Sequence, residues 1–338
     1  MNDLERLRSR IKTLTNWPSV DRLKVISDTS DCMRIQRGNV IRVGGREFVI
    51  EGHRYETRFG IEDQPKYWVF SAIDLETTNK VILKMTFHEE FVVHIGVFKI
   101  RCYRSPEKEA SVLNLVQGDH RFMQGFTELD DAGNHVRIID FIRGPSIFQH
   151  IHNNSAPHEE YFQRDLPRIL HNLSDSMESI KFLHEHDTCH GDIRNDHIII
   201  DSETGKYRWI DFDLNQHVSD FDVWSMGNII SYAAGQGIKS FHVVLQADEF
   251  SQKIKRSLGH GDGSAFYEYR IINMRKLFPY IPKRLNNILM HFAIEPRGHY
   301  GTMDELISDY RDMLDADFPI PASTVDGRGA NAASEDRP

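Results

Sequence analysis

The apolar pattern of this 338-residue chain changes period at Gly144-Pro145-Ser146. Before that point, apolar residues form short runs separated by turn residues. Val40-Ile41-Arg42-Val43 and Phe48-Val49-Ile50 flank Gly44-Gly45, a hairpin signal. Tyr67 to Ile73 leads through Thr77-Thr78-Asn79 into Val81-Ile82-Leu83-Lys84. Phe122 to Leu129 leads through Asp130-Asp131-Ala132-Gly133-Asn134 into His135 to Ile142. A helix is predicted from Pro106 to Val116, with proline in its first turn, and a short amphipathic one near the start on Leu4, Leu7, Ile11 and Leu14. After the change, Leu166, Ile169, Leu170, Leu173, Met177, Ile180 and Leu183 make one apolar face of a long helix. Further helices are predicted from Asp222 to Ala234, Lys283 to Ala293 and Thr302 to Leu314. Strands first and helices second argue for an α+β fold in two lobes.

Composition narrows the function classes. A formal charge of −9 disfavours a broad nucleic-acid surface. The best apolar stretch, Phe91 to Ile100, is short and interrupted by His94 and Lys99, so no membrane span is expected. The charged start, Met1 to Arg6, has no secretory pattern. Cys32, Cys102 and Cys189 are few, odd in number and far apart. That spacing fits neither a disulfide framework nor a zinc site, and the expected location is the cytoplasm. Residues 321–338 are rich in Ala, Gly, Ser and Asp without an apolar anchor and read as a disordered tail.

The chemistry concentrates in Cys189-His190-Gly191-Asp192-Ile193-Arg194-Asn195-Asp196-His197 and in Trp209-Ile210-Asp211-Phe212-Asp213. Phosphoryl transfer needs two such carboxylates: one orients and deprotonates an acceptor hydroxyl, the other holds magnesium against nucleotide phosphates. Lys84 ends an apolar strand, where an inward ammonium can reach phosphates. Glu109 sits on the following helix, with Glu107 as a rival, and Arg194 stands two residues beyond Asp192.

These motifs, in this order from about Phe48 to Leu314, resemble the protein-kinase-like superfamily. The resemblance implies a two-lobed fold, with an antiparallel strand-rich N-lobe carrying one main helix and a helical C-lobe. It divides the chain into an N-terminal extension (1–45), an N-lobe (46–143), a C-lobe (144–320) and the tail (321–338). It implies ATP and Mg²⁺ as ligands and transfer of the γ-phosphoryl group to a hydroxyl of a protein Ser/Thr or of a small molecule. Lys84 and Glu109 would position phosphates, Asp192 would act on the acceptor, and Arg194 would stabilise γ-phosphoryl charge. Gly60, Val69, Ala72, Asp140 and Ile142 would line the nucleotide site, the last two in a hinge. Asp222 would brace the catalytic loop.

The chain departs from the pattern at several positions. His197 stands where asparagine usually binds metal. It implies weak coordination, reliance on Asp211 and Asp213, a preference for Mn²⁺, or loss of the second metal. Asp213 replaces the usual glycine. Only Gly60 remains of the glycine-rich phosphate loop, and the segment from Asp211 to Asp222 is short and lacks Ala-Pro-Glu. The short segment and Asp213 pull toward a small hydroxylated acceptor, and the helix beginning near Asp222 pulls toward a protein. The alternatives are a nucleotide-binding scaffold without transfer (a pseudokinase) and an AMP transferase.

Overall fold

The computed structural model describes residues 2–15, 17, 23–56, 64–95, 98–216, 218, 220–296 and 298–319. In chain order the first half contains α1 (Asp3–Leu14), β1 (Val25–Ile26), β2 (Val40–Val43), β3 (Arg46–Glu56), β4 (Gln64–Asp74) and β5 (Lys80–Lys84). It continues with β6 (Glu90–Ile95), β7 (Phe98–Arg104), α2 (Pro106–Leu115), β8 (Gly125–Leu129) and β9 (His135–Asp140). Seven strands form one sheet in the order β1-β2-β3-β4-β5-β9-β8. Its pairings are antiparallel except β1 with β2. The protein is therefore α+β, with a largely antiparallel sheet.

Within the first 45 residues, β1 and β2 belong to this sheet. Asn2 caps α1 by accepting from the Glu5 N–H at 2.8 Å, and the Glu5 carboxylate accepts from the Asn2 N–H at 3.0 Å. Leu7 and Ile11 on the inner face of α1 pack with Leu23, Val40, Val49 and Leu75. Because β2 and β3 are one hairpin, the expected boundary at residue 45 falls inside a structural unit.

Strand register decides which residues can meet. Val69 lies opposite Lys84, Ala72 opposite Val81, Ile82 opposite Ile139, and Lys84 opposite Arg137. Alternation therefore puts Val69, Ile82, Lys84, Arg137 and Ile139 on one face. Phe70, Ala72, Val81, Leu83 and Ile138 share the other face, within a core that includes Phe48 and Ile50.

The second half holds α3 (Ile147–His152), α4 (His158–Arg164), α5 (Leu166–Glu185), β10 (Ile198–Ile200), β11 (Tyr207–Trp209) and β12 (Leu214–Gln216). Then come α6 (Phe221–Ala234), α7 (Phe241–Gln246), α8 (Gln252–Ser257), α9 (Met274–Leu277), α10 (Lys283–Met290) and α11 (Met303–Asp317). The predicted apolar face of α5 is wholly buried and centres the largest core. Tyr310 of α11 donates to the Leu170 carbonyl at 3.0 Å, and Trp209 to the Ser176 carbonyl at 3.0 Å, so both aromatic bodies are buried with their polar ends satisfied. The helix after Pro282 ends at Met290, short of Ala293.

The sequence expectations did not include the three-stranded sheet of β6, β7 and β12. The Phe91 to Ile100 stretch is not a single apolar run but part of the β6–β7 hairpin. Phe91 and Val93 pack with Ile100, Cys102 and Leu214. The hairpin recruits β12 as a third strand, with Leu214 opposite Arg104 and Gln216 opposite Cys102.

Candidate functional site

The site starts from a backbone accident of α2. Ser105 caps the helix by accepting from the Lys108 N–H at 3.1 Å, and Pro106 fills the first position, where no N–H is needed. Residues two apart on a helix face different ways. Glu107 is thus 59% exposed at its side chain, and Glu109 is fully buried. That geometry selects Glu109 of the two rivals as the partner of Lys84, with Nζ at 2.7 Å from Oε1.

Lys84 is the hub. Its Nζ also lies 2.7 Å from Asp211 Oδ1 and 3.2 Å from Asp213 Oδ2. Glu109 accepts in addition from Arg137 Nε at 3.2 Å and from the Phe212 N–H at 3.2 Å. Asp213 Oδ1 meets Arg104 Nη1 at 2.7 Å, and Arg104 Nε reaches Glu89 at 2.8 Å. Asp211 Oδ2 meets Lys66 Nζ at 3.0 Å and lies 3.4 Å from His197 Nε2. Four cations (Lys66, Lys84, Arg104, Arg137) thus alternate with four carboxylates (Glu89, Glu109, Asp211, Asp213). Burial pulls the Lys84 ammonium toward the neutral form, but Asp211, Asp213 and Glu109 reverse this and hold it above the ordinary lysine range. Burial likewise raises Asp211, yet Lys66, Lys84, His197 and Arg104 bring it well below the usual carboxylate range. Asp213 is also lowered, by Lys84 and Arg104 against burial and the repulsion of Asp211. Asp211 has φ +70°, a left-handed conformation unusual for a residue with a side chain, and the converging contacts hold it there.

The Asp192 loop is fixed from below. Asp222, at the start of α6, accepts from the His190 N–H at 2.7 Å, the Gly191 N–H at 2.9 Å and His184 Nε2 at 3.1 Å. Gly191 has φ +84°, and a Cβ there would lie 2.2 Å from the Leu214 carbonyl oxygen, so only glycine fits. Lys108, one residue before Glu109, donates to the carbonyls of His190 (2.9 Å) and Leu214, tying α2 to both acidic loops. His197 is buried, and its Nδ1 lies 2.8 Å from the Asp192 carbonyl oxygen, which requires that nitrogen to carry the proton.

Lys84, Glu109, Asp211, Asp213 and His197 therefore converge, with Asp192 joined through His197. Other expected residues stand apart from that cluster. Arg194 pairs with Asp196, Nε to Oδ1 at 2.9 Å. Val69 shares the Lys84 face, but Ala72 is buried on the opposite face of the sheet, because three residues along a strand change side. Asp140 ends β9 on an exposed position opposite Val81, its N–H already donating to the Gln124 carbonyl at 2.9 Å. Ile142 packs against the helical core. Gly60 and the 321–338 tail lie outside the described residues. Among the described residues no three His, Cys, Asp or Glu side chains are grouped to hold a metal ion. Asp213 in particular has one oxygen on Arg104 and the other on Lys84.

Lys66, Arg104, Lys108 and Arg137 were not singled out from the sequence. Arg137 did carry a signal. It is the one charged residue inside Val136-Arg137-Ile138-Ile139 and lies opposite Lys84, so the two cations need a carboxylate between them.

His190 supplies a test of the site's rigidity. Its ring is fully buried between Trp209 and Phe212, with Nδ1 accepting from the Asp192 N–H at 3.3 Å. Burial pushes it down to about 3, and burial pushes His158 down to about 4. An unfolded histidine titrates near 6.5, so between these values the unfolded chain binds protons that the native state refuses. Stability should therefore fall as pH is lowered from 6.5 toward 4, with about 1.4 kcal/mol per pH unit from His190 alone. Urea unfolding from pH 7 to 4 reads this slope, and a flat profile would show that His190 is hydrated.

No family model matches the chain, and no curated protein matches it significantly. Among the described residues no helix is long and apolar enough to cross a membrane. Cys32, Cys102 and Cys189 are free thiols.

Proposed function

We propose that the chain is an ATP-dependent phosphotransferase of the protein-kinase-like superfamily. The strand-rich and helical halves would be its two lobes, and the cytoplasm its location. The convergence of Lys84, Glu109 and Asp211, with Asp192 held beside them, carries this reading. Lys84 is pre-set as a permanent cation at the nucleotide phosphates, and Glu109 keeps it extended.

The donor set suits a divalent ion. In its neutral form, with Nδ1–H donating to the Asp192 carbonyl oxygen, His197 would direct the Nε2 lone pair at Asp211 Oδ2, 3.4 Å away. Two electron-rich atoms so placed favour a cation between them. A magnesium ion arriving with its nucleotide needs only one or two protein ligands, because phosphates and water complete its shell. Asp211 and His197 would hold it, and the bound ion would supply charge neutralisation on the phosphates. The imidazole nitrogen favours Mn²⁺ more than an asparagine oxygen would.

Asp192 would orient the acceptor hydroxyl and take its proton. The hydroxyl oxygen bonds to the γ-phosphorus, the bond from that phosphorus to the β-bridging oxygen breaks, and ADP leaves with that electron pair. The acceptor is a small hydroxylated molecule on this reading. β12 starts directly after Asp213 and is paired to β7, and α6 begins at Phe221, which leaves no length for a peptide platform.

Transfer of label from γ-labelled ATP across a panel of metabolites and protein acceptors, with Mg²⁺ and with Mn²⁺, tests the proposal. Asp192→Ala should lower transfer about 100- to 10,000-fold while nucleotide binding is kept. Equal transfer by the variant would remove Asp192 as the base, and label appearing from the α position instead would assign AMP transfer. A binding-only role is favoured by the pairing of both Asp211 oxygens with lysines. ATP-induced thermal stabilisation without transfer to any acceptor would establish it.

A further inference from the structure

Lys66 is the third residue of β4. Its ammonium lies 3.0 Å from Asp211 Oδ2, the oxygen that also faces His197. Asp211 Oδ1 is already committed to Lys84. Both oxygens of the expected metal ligand thus carry an ammonium, yet the two lysines are held differently. Lys84 is locked by three carboxylates, whereas Lys66 sits where the β3–β4 register shifts and keeps 14% of its side chain exposed. A divalent ion approaching Oδ2 meets this charge at close range and has to displace it from a largely desolvated carboxylate. A triphosphate changes the balance, since it offers the ammonium new anionic oxygens a short side-chain swing away.

We infer that Lys66 is a resident cation that closes the Asp211 position to free divalent ions and surrenders it when nucleotide phosphates take up the ammonium. The inference rests on the phosphotransferase reading and adds to it a specificity residue and an order of assembly. Free metal binds weakly, and metal and nucleotide enter as one unit, so each strengthens the other.

Mn²⁺ binding measured by electron paramagnetic resonance, without activity as a readout, tests this on the full chain. Wild type, Lys66→Met, Lys66→Gln and Lys66→Arg are titrated with MnCl₂ alone and with a non-hydrolysable ATP analogue, and each variant's fold is checked by circular dichroism. Lys66→Met and Lys66→Gln should bind free Mn²⁺ roughly tenfold tighter than wild type, with a smaller gain from the analogue, and Lys66→Arg should match wild type. Equal affinities for free Mn²⁺ in all four proteins would overturn the inference, as would tightening in Lys66→Arg. If wild type binds Mn²⁺ with the analogue, the phosphotransferase reading survives that result. Absence of Mn²⁺ binding in every protein, with analogue present, would take down both.

Discussion

Lys84→Met is expected to destabilise the fold by about 3–5 kcal/mol, because it breaks a buried charge network by removing one sign only, and, if the proposed phosphotransferase reading holds, to abolish nucleotide binding. The four cations and four carboxylates of that network balance, and Lys84 is the member shared by Glu109, Asp211 and Asp213. Arg137 and Lys66 still pair with Glu109 and Asp211, and Arg104 with both Asp213 and Glu89, so among these groups the variant retains one excess negative charge rather than three. The sign of the pH dependence follows. In wild type, Asp211 and Asp213 titrate below the ordinary range, so their contribution is complete above about 3.8 and is lost only as pH falls further. In Lys84→Met the uncompensated carboxyl is pushed upward and can be neutralised by a proton. The stability gap between the two proteins should therefore be widest near neutrality and narrow as pH is lowered toward 5. Urea midpoints at pH 7.5 and 5 measure this. A gap below about 1 kcal/mol at both pH values would mean that water already screens the cluster.

Asp222→Ala should have the second largest effect, and of a different kind. The Asp222 carboxylate is buried and accepts two backbone N–H groups and one imidazole nitrogen. Burial raises its pKa, and His184, His190 and the Gly191 N–H more than offset this, so it stays ionised well into acid. Hydrogen bonds to a charged acceptor contribute about 1.5–3 kcal/mol each, and the truncation leaves the His190 and Gly191 N–H groups without their acceptor. A loss of about 3 kcal/mol or more is expected, with Asp222→Asn in between, since its single oxygen keeps one acceptor. The functional consequence is positional. Asp192 follows the two braced amides, and a displacement of about 1 Å there costs on the order of 100-fold in rate. Transfer should fall with little change in nucleotide affinity, because Lys84 and Glu109 do not touch this loop. Loss of affinity equal to the loss of rate would instead indicate a global disturbance.

Patterns set by neighbours along the chain were readable in advance. The face of α5, the proline-started α2, the β2–β3 turn and the β8–β9 pair all depend on residues within a turn or a hairpin of one another. What escaped were facts of register and pairing at long range. Phe91 to Ile100 was noticed only as apolar, since its partner β12 lies more than a hundred residues on and nothing local announces it. Ala72 was expected beside the nucleotide, but strand parity places it in the core beneath, and parity is known only once Val69 is set against Lys84.

By itself the amino-acid order determined that strands precede helices, which faces are apolar, and which few acidic residues sit in turns where side chains can act. Only the tertiary structure decided that Glu109 rather than Glu107 meets Lys84, and that Arg104, Arg137 and Lys66 complete its charge balance. The reason is physical. Apolar periodicity repeats every few residues and is a local property. A buried ion, by contrast, is tolerable only with opposite charges around it, and those come from whichever distant elements the packing brings within about 3 Å.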